Sequence, residues 1–414
     1  MICGRHGCFI RCYNYLYLQA KIFAMKKLLI ITSLFITVVL NAQNATLTSR
    51  MDSVSVLLNN FRNINSHVNL EFAGSGNAYL TKGQLDEMSF KMNRVRLEMY
   101  GNLNSQLSYH FRQSFNKYSN PYSVDNMSSS IEYAYIQWHS GDKFDLLAGK
   151  QYLALAGYEG YVNALLVREF SDFNNNVEVF QTGVMGIYKM TPTQHLMLQV
   201  ANNRNSSDSE MYLYGMPDGI QSTRFPLLTT LNWNGWFADG AVHLMYSASV
   251  GQLAKGKNIY YLMCGNIYER GPILAYLDVL YSRSALDQQQ RITTLQGQMR
   301  GGLPVTAQNT EYFTVIANFD YRFHPKWNAY LKGAYETADV YKTNGKFAKG
   351  RYTTTWNAQA CVEWFPFAED KGFKVFAHYL YKGGNLSDKA IALGADLPHT
   401  QRISLGIQYI ISVL

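Results

Sequence analysis

The sequence predicts an all-β fold, a transmembrane antiparallel β-barrel of about 16 strands with short periplasmic turns and long extracellular loops. Three observations predict it. From residue 67 onward apolar and polar residues alternate in segments of about 10–14 residues, longer than the strands of ordinary soluble sheets. The connections between segments are by turns short and long. A leader of secretory type precedes them. Composition agrees: Tyr is abundant at 31 residues and Pro scarce at nine, which favours strands over disorder. No stretch reads as a spanning helix of about 20 apolar residues.

Residues 1–24 resemble nothing that follows and are read as a mis-called start. Met25-Lys26-Lys27, the apolar run 28–40 and Asn41-Ala42 then form a signal peptide, residues 25–42, cleaved after Ala42. This changes the electrostatics. The formal charge of +8 includes Arg5, Arg11, Lys21, Lys26 and Lys27, and no acid lies in the leader. Without it 32 basic residues face 29 acidic ones. The basic balance is therefore no argument for nucleic acid, and no nucleic-acid partner is expected. Only Cys264 and Cys361 remain, in no metal-ligand spacing, so neither a disulfide scaffold nor a metal or other cofactor is expected.

Residues 43–66 form a periplasmic N-terminal segment, with Met51, Val54, Leu58 and Phe61 at helical spacing. The barrel domain spans 67–414. Its candidate strands are 67–77, 89–101, 105–118, 130–140, 143–151, 177–190, 194–203, 225–234, 240–251, 258–269, 271–284, 311–323, 327–337, 352–366, 371–382 and 400–413. Even-numbered strands end in short turns such as Asn102–Asn104, Gly141-Asp142 and His324-Pro325-Lys326. Odd-numbered strands are followed by the long stretches 78–88, 119–129, 152–176, 204–224, 285–310, 338–351 and 383–399, with 252–257 the short exception. All short turns thus fall on one side.

The faces follow the same logic. In the last strand Ile403, Leu405 and Ile407 oppose Arg402, Ser404 and Gln408. Phe313, Phe319 and Phe323 oppose Thr314, Asp320 and Arg322, and Trp327 and Leu331 oppose Asn328 and Lys332. Lipid outside and water inside requires this dyad. Segments 258–269 and 177–190 alternate poorly. A soluble sandwich or propeller also alternates, but neither carries the two-sided loop rhythm.

Three stretches carry a family likeness. The first is Phe90-Lys91-Met92-Asn93-Arg94-Val95-Arg96-Leu97-Glu98-Met99-Tyr100-Gly101. The second is Leu146-Leu147-Ala148-Gly149-Lys150-Gln151 followed by Gly157-Tyr158-Glu159. The third is Val167-Arg168-Glu169 followed by Gln181-Thr182-Gly183-Val184-Met185-Gly186. In this order they resemble the phosphate-selective porin O and P family of Gram-negative outer membranes. The proline expected before Gly-x-Glu is absent, and the last residue is Leu414 where many such barrels end in an aromatic. The resemblance implies a homotrimeric porin in outer-membrane lipid and lipopolysaccharide. It implies passage of small hydrophilic or anionic solutes, phosphate among them, and an inward-folded third loop. That constriction loop is 152–176, with Tyr152, Glu159, Arg168, Glu169 and Asp172.

By strand parity the lumen cations that would guide anions are Arg94, Arg96, Arg112, Lys332, Lys374 and Arg402, joined by Arg168 on the loop. Glu98, Asp278, Asp320, Glu336 and Glu363 share the inward parity, so the wall is mixed and inward arginines are expected to pair with acids. Two other classes stay open. A non-conducting barrel would act through its outer loops as an adhesive or structural protein. An outer-membrane lipase or protease would need a nucleophile, base and orienter at one height, and the inward histidines His110, His243 and His378 have no obvious Ser and carboxylate beside them in sequence. No enzyme is expected.

Overall fold

The computed structural model describes residues 65–117, 124–162, 164, 166–296, 303–367 and 372–413. The leader and the helical reading of the segment before the barrel lie outside the described residues.

Sixteen antiparallel strands close into one barrel, each paired with its chain neighbours and the first with the last. They are β1 (Asn65–Thr81), β2 (Gln84–Asn102), β3 (Leu107–Ser114), β4 (Ile131–Ser140), β5 (Phe144–Tyr152), β6 (Phe180–Thr191), β7 (Gln194–Asn202) and β8 (Leu227–Phe237). The second half comprises β9 (Val242–Ala254), β10 (Lys257–Arg270), β11 (Ile273–Leu286), β12 (Gln308–His324), β13 (Trp327–Val340), β14 (Gly350–Trp364), β15 (Phe373–Leu386) and β16 (Thr400–Ser412). Closure matters in a bilayer because it leaves no strand edge whose N–H and C=O groups lack partners.

The predicted faces hold. Ile403, Leu405 and Ile407 are exposed outside, while Ser404 and Gln408 are buried inside. Leu331 is 64% exposed on the outside and its neighbour Lys332 only 6%, which sets the wall's two solvents one residue apart. The poor alternation of 258–269 has a physical cause. In β10 Tyr260, Leu262 and Tyr268 face out, but Ile259, Tyr261, Met263 and Ile267 are buried on the inner side. Both faces are apolar because the inner one packs against protein instead of water.

Three local features depart from the sequence reading. The stretch 78–88 is not a long loop. β1 and β2 run through it as a hairpin closed by Lys82 and Gly83, with φ of 52° and 81°. Two consecutive positive φ values are those of a type I′ turn, which matches strand twist. On β2, Ala73 pairs with Arg94 but Gly74 with Met92, so Asn93 bulges and the parity reverses beyond it. Met88, Phe90 and Met92 therefore face outward although they share even numbers with the inward Arg94 and Arg96. On β4, Arg112 pairs with Tyr133 and Gln113 with Ile131, so Glu132 bulges and turns inward.

Candidate functional site

The β5–β6 connection is read from the sequence as an irregular loop. It contains two single-turn helices, α1 (Tyr158–Tyr161) and α2 (Asp172–Asn176). Each begins on a wall carboxylate. Asp278 of β11 accepts the backbone N–H groups of Tyr158 and Glu159, both at 2.9 Å. Glu336 of β13 accepts those of Asp172 and Phe173, at 2.8 and 2.9 Å. A carboxylate at a helix start satisfies N–H groups that the helix cannot and opposes its dipole. The loop thus crosses the barrel interior, because its partners lie on strands remote from β5 and β6.

Gly157 explains the first motif glycine. Its φ is 113°, and a side chain built on Gly265 of β10 would lie 3.0 Å from its backbone. Loop and wall meet there backbone to backbone, which only glycine permits. Glu159 explains the motif acid. It is fully buried and paired with Lys332, and it accepts from Ser171 N and Oγ and from Asn174 Nδ2. Burial alone would raise its pKa, but the Lys332 ammonium and these hydrogen bonds outweigh burial and hold it below the ordinary glutamate value. Phe173, 1% exposed, adds an apolar anchor among Leu153, Leu155, Tyr261 and Leu280.

The predicted cations separate into four groups by the acid they meet. Lys332 pairs with Glu159 and donates to the Glu169 carbonyl at 2.7 Å, and so holds the loop. Arg168 Nη2 and Lys374 Nζ share Glu363, at 2.9 and 2.7 Å, and Arg168 stacks 3.7 Å above the Phe376 ring. Arg402 binds Glu169 at 3.0 Å and the Arg168 carbonyl at 3.2 Å. Lys382, absent from the predicted set, also reaches Glu169 at 2.6 Å. Asp172 lies 3.7 Å from Lys382, and Tyr152 packs on Phe180.

Arg94, Arg96 and Arg112 stand on β2 and β3, and Arg94 shares a cavity with Arg168 and Arg402. Glu132 gathers the β2 and β3 arginines, with Arg112 Nε at 2.8 Å, Arg96 at 3.2 Å and Arg94 at 3.9 Å, and Lys117 joins at 2.6 Å. Arg96 also pairs with Glu71, and Arg112 with Glu98. Glu132 and Lys117 escaped the sequence reading. The first is hidden by its bulge and the second lies past the strand end. Expecting inward arginines to pair with acids describes this wall correctly.

Three internal cavities frame the loop. One of about 940 Å³ runs along β2–β9, from Lys117 and Glu178 at the outer ends to Trp236 near the periplasmic turns. One of about 280 Å³ lies by the β10–β11 turn and is lined by Arg168, Lys332 and Lys374. One of about 210 Å³ is lined by Arg94, Arg168 and Arg402, with Glu169 its one acid. Arg94 borders the first and third, and Arg168 the second and third. Ala164 and the loop segment from Leu166 to Phe170 thus stand where the spaces meet.

A Ser–His–Asp line also exists, although no local sequence signal announces it. Ser108 Oγ lies 3.0 Å from His139 Nε2, and His139 Nδ1 3.0 Å from Asp145 Oδ1. It sits at the periplasmic ends of β3–β5. Asp145 is shared there with Lys189 and Gln137, and the adjacent strand backbone is committed to the barrel ladder. It therefore has the order of nucleophile, base and orienter without a preorganised oxyanion hole. Among the described residues no group of His, Cys, Asp and Glu is arranged to hold a metal ion.

A closed sixteen-strand barrel with an inward loop and a charged lumen defines an outer-membrane barrel of the porin class. The sequence match makes this specific: the family described as phosphate-selective porin O and P matches residues 68–411, and the chain belongs to it. Among solved structures the fold is similar to Salmonella typhi OmpF in complex with daunomycin, with 12% identity, 85% of this chain and 99% of that one covered, and a TM-score of 0.55. It is also similar to the outer-membrane expressed OmpT of Vibrio cholerae, with 11% identity, 84% and 98% coverage, and a TM-score of 0.50. At such identities the likeness concerns the fold. No curated protein matches the sequence.

Proposed function

We infer that the protein is a water-filled channel for passive diffusion of small hydrophilic solutes, with a preference for anions. One observation carries the preference: three guanidinium groups, Arg94, Arg168 and Arg402, line the cavity where the loop meets the wall, and with Arg168 on Glu363 and Arg402 on Glu169, Arg94 at 3.9 Å from Glu132 is the cation held least. In a confined low-dielectric passage such a cation concentrates anions, and the arginine fork suits oxyanions. Phosphate as a permeant ion is supported by the family description. The apolar outer face supports a place in outer-membrane lipid and lipopolysaccharide. The low wall of β3–β5, of 8, 10 and 9 residues, supports contact with further copies in a homotrimer.

Reversal potentials across planar bilayers in a salt gradient test this. The wild type is expected to favour anions, and Arg168→Glu, which also sets two carboxylates face to face at Glu363, to shift selectivity toward cations. An unchanged potential would remove Arg168 from the conducting path, and absence of stepwise conductance would end the porin reading in favour of an adhesive or structural barrel. The Ser108–His139–Asp145 line supports a second, enzymatic reading. Labelling of the wild type by a fluorophosphonate, lost in Ser108→Ala, would establish it, and no labelling would dismiss it.

A further inference from the structure

The cavity of about 940 Å³ has two unlike walls. On one side β2–β4 present Arg94 and Arg112 beside the carboxylates of Glu98 and Glu132, with Lys117 just beyond. Arg94 approaches Glu132 only at 3.9 Å and the Ala164 carbonyl at 3.5 Å, so its donors are largely unspent. Lys117 pairs with Glu132 at 2.6 Å, and its side chain stays 39% exposed toward the cavity. On the other side β6 and β7 turn Met185, Ile187 and Met197 into the same space. These three are half-buried and lie outside the packed core that holds the β5–β6 loop. Loop packing therefore does not account for them, and a water-filled lumen is ordinarily polar.

Aromatic rings join the two walls. Tyr135, Tyr133, Phe180 and Tyr152 follow one another edge to face, with successive centroids 5.8, 5.3 and 5.8 Å apart. The Arg112 guanidinium lies 4.1 Å over the Tyr133 ring, so cationic and aromatic surfaces are continuous. The cavity, about 940 Å³, is large enough for a ring-bearing solute.

We propose that this passage selects organic anions with a flat apolar body, of the aromatic carboxylate or sulfonate class. The anionic head lies on Arg94 and Lys117, and the body lies against Tyr133, Phe180 and the Met185–Met197 wall. A bare inorganic anion engages the first wall alone. The proposal rests on the porin reading above and narrows its solutes.

Benzenesulfonate and methanesulfonate make a direct test, because both stay ionised and share one head. Each is added to the full mature protein conducting KCl in planar bilayers, beside inorganic phosphate. Benzenesulfonate is expected to half-block the current at a concentration roughly tenfold below methanesulfonate, the scale of a partly buried ring. In the double variant Met185→Gln, Met197→Gln that gap should close while KCl conductance persists. Equal block by the two sulfonates, stronger block by phosphate, or a gap that survives in the double variant would each overturn the proposal and leave the porin reading intact. A wild type without conductance would defeat both.

Discussion

The inner face of β10–β13 and the inner face of β2–β4 have the same orientation and opposite chemistry. The first is built from Ile259, Tyr261, Met263, Leu280 and Ile316, all buried, and its acids Asp278 and Glu336 each cap the start of a loop helix. The second is built from Arg94, Arg96, Glu98, Arg112 and Glu132, joined in a shared network in which Arg94 is the most loosely held. Strand parity says only which side chains point inward. What they meet there decides their kind. A wall that meets a folded loop behaves as a protein core, where buried polar groups are met by donors of the loop itself. A wall that borders the cavity keeps its charges buried in a shared network, one carboxylate serving several cations.

Removing the loop's central ion pair should have the largest effect on this contrast. Glu159→Ala leaves Lys332 buried without its carboxylate, a change that costs about 3–5 kcal/mol. The expected result is proteolytic cutting within 152–176 in a barrel that stays folded, with larger and noisier channel currents. Full protease resistance would show that the apolar contacts suffice. Phe173→Ala tests those contacts. It should cost about 3 kcal/mol and give the same cutting at a slower rate.

A pH titration separates the two contributions without mutation. The pKa of Glu159 is lowered in the folded state despite its burial, by Lys332, Ser171 and Asn174. Its contribution to loop docking is therefore complete above the ordinary glutamate value of about 4.3 and is lost as pH falls below it toward the depressed value. Protease sensitivity of the loop should rise over that acidic window in the wild type and stay flat in Glu159→Gln. A wild-type profile as flat as the variant's would remove Glu159 from the docking energy. The smallest effect is expected away from both walls. The Arg351–Asp339 pair, at 2.7 Å on a side chain 47% exposed, should yield no more than about 1 kcal/mol in Arg351→Ala, measured by thermal melting in detergent.

The strand count, the closure and the lipid face of β12–β16 were legible in the sequence. Alternation with a period of two is a direct consequence of backbone geometry between two solvents, and it needs no partner to be read. The hairpin at Lys82 and Gly83 was legible in principle, since a two-residue turn was present, but the polar residues around it passed for a loop. The bulges at Asn93 and Glu132 were not, because one extra residue reverses parity while leaving local composition unchanged. Nor was the Ser108–His139–Asp145 line, whose members sit on three strands.

The loop that breaks the pattern shows the same division most plainly. Its position, length and Gly-x-Glu element belong to the sequence alone. That Gly157 meets Gly265, that Asp278 and Glu336 cap its helices, and that Glu159 finds Lys332 are decided by tertiary structure. Those contacts join residues more than a hundred positions apart, and only closure of the barrel brings them within a hydrogen bond's length.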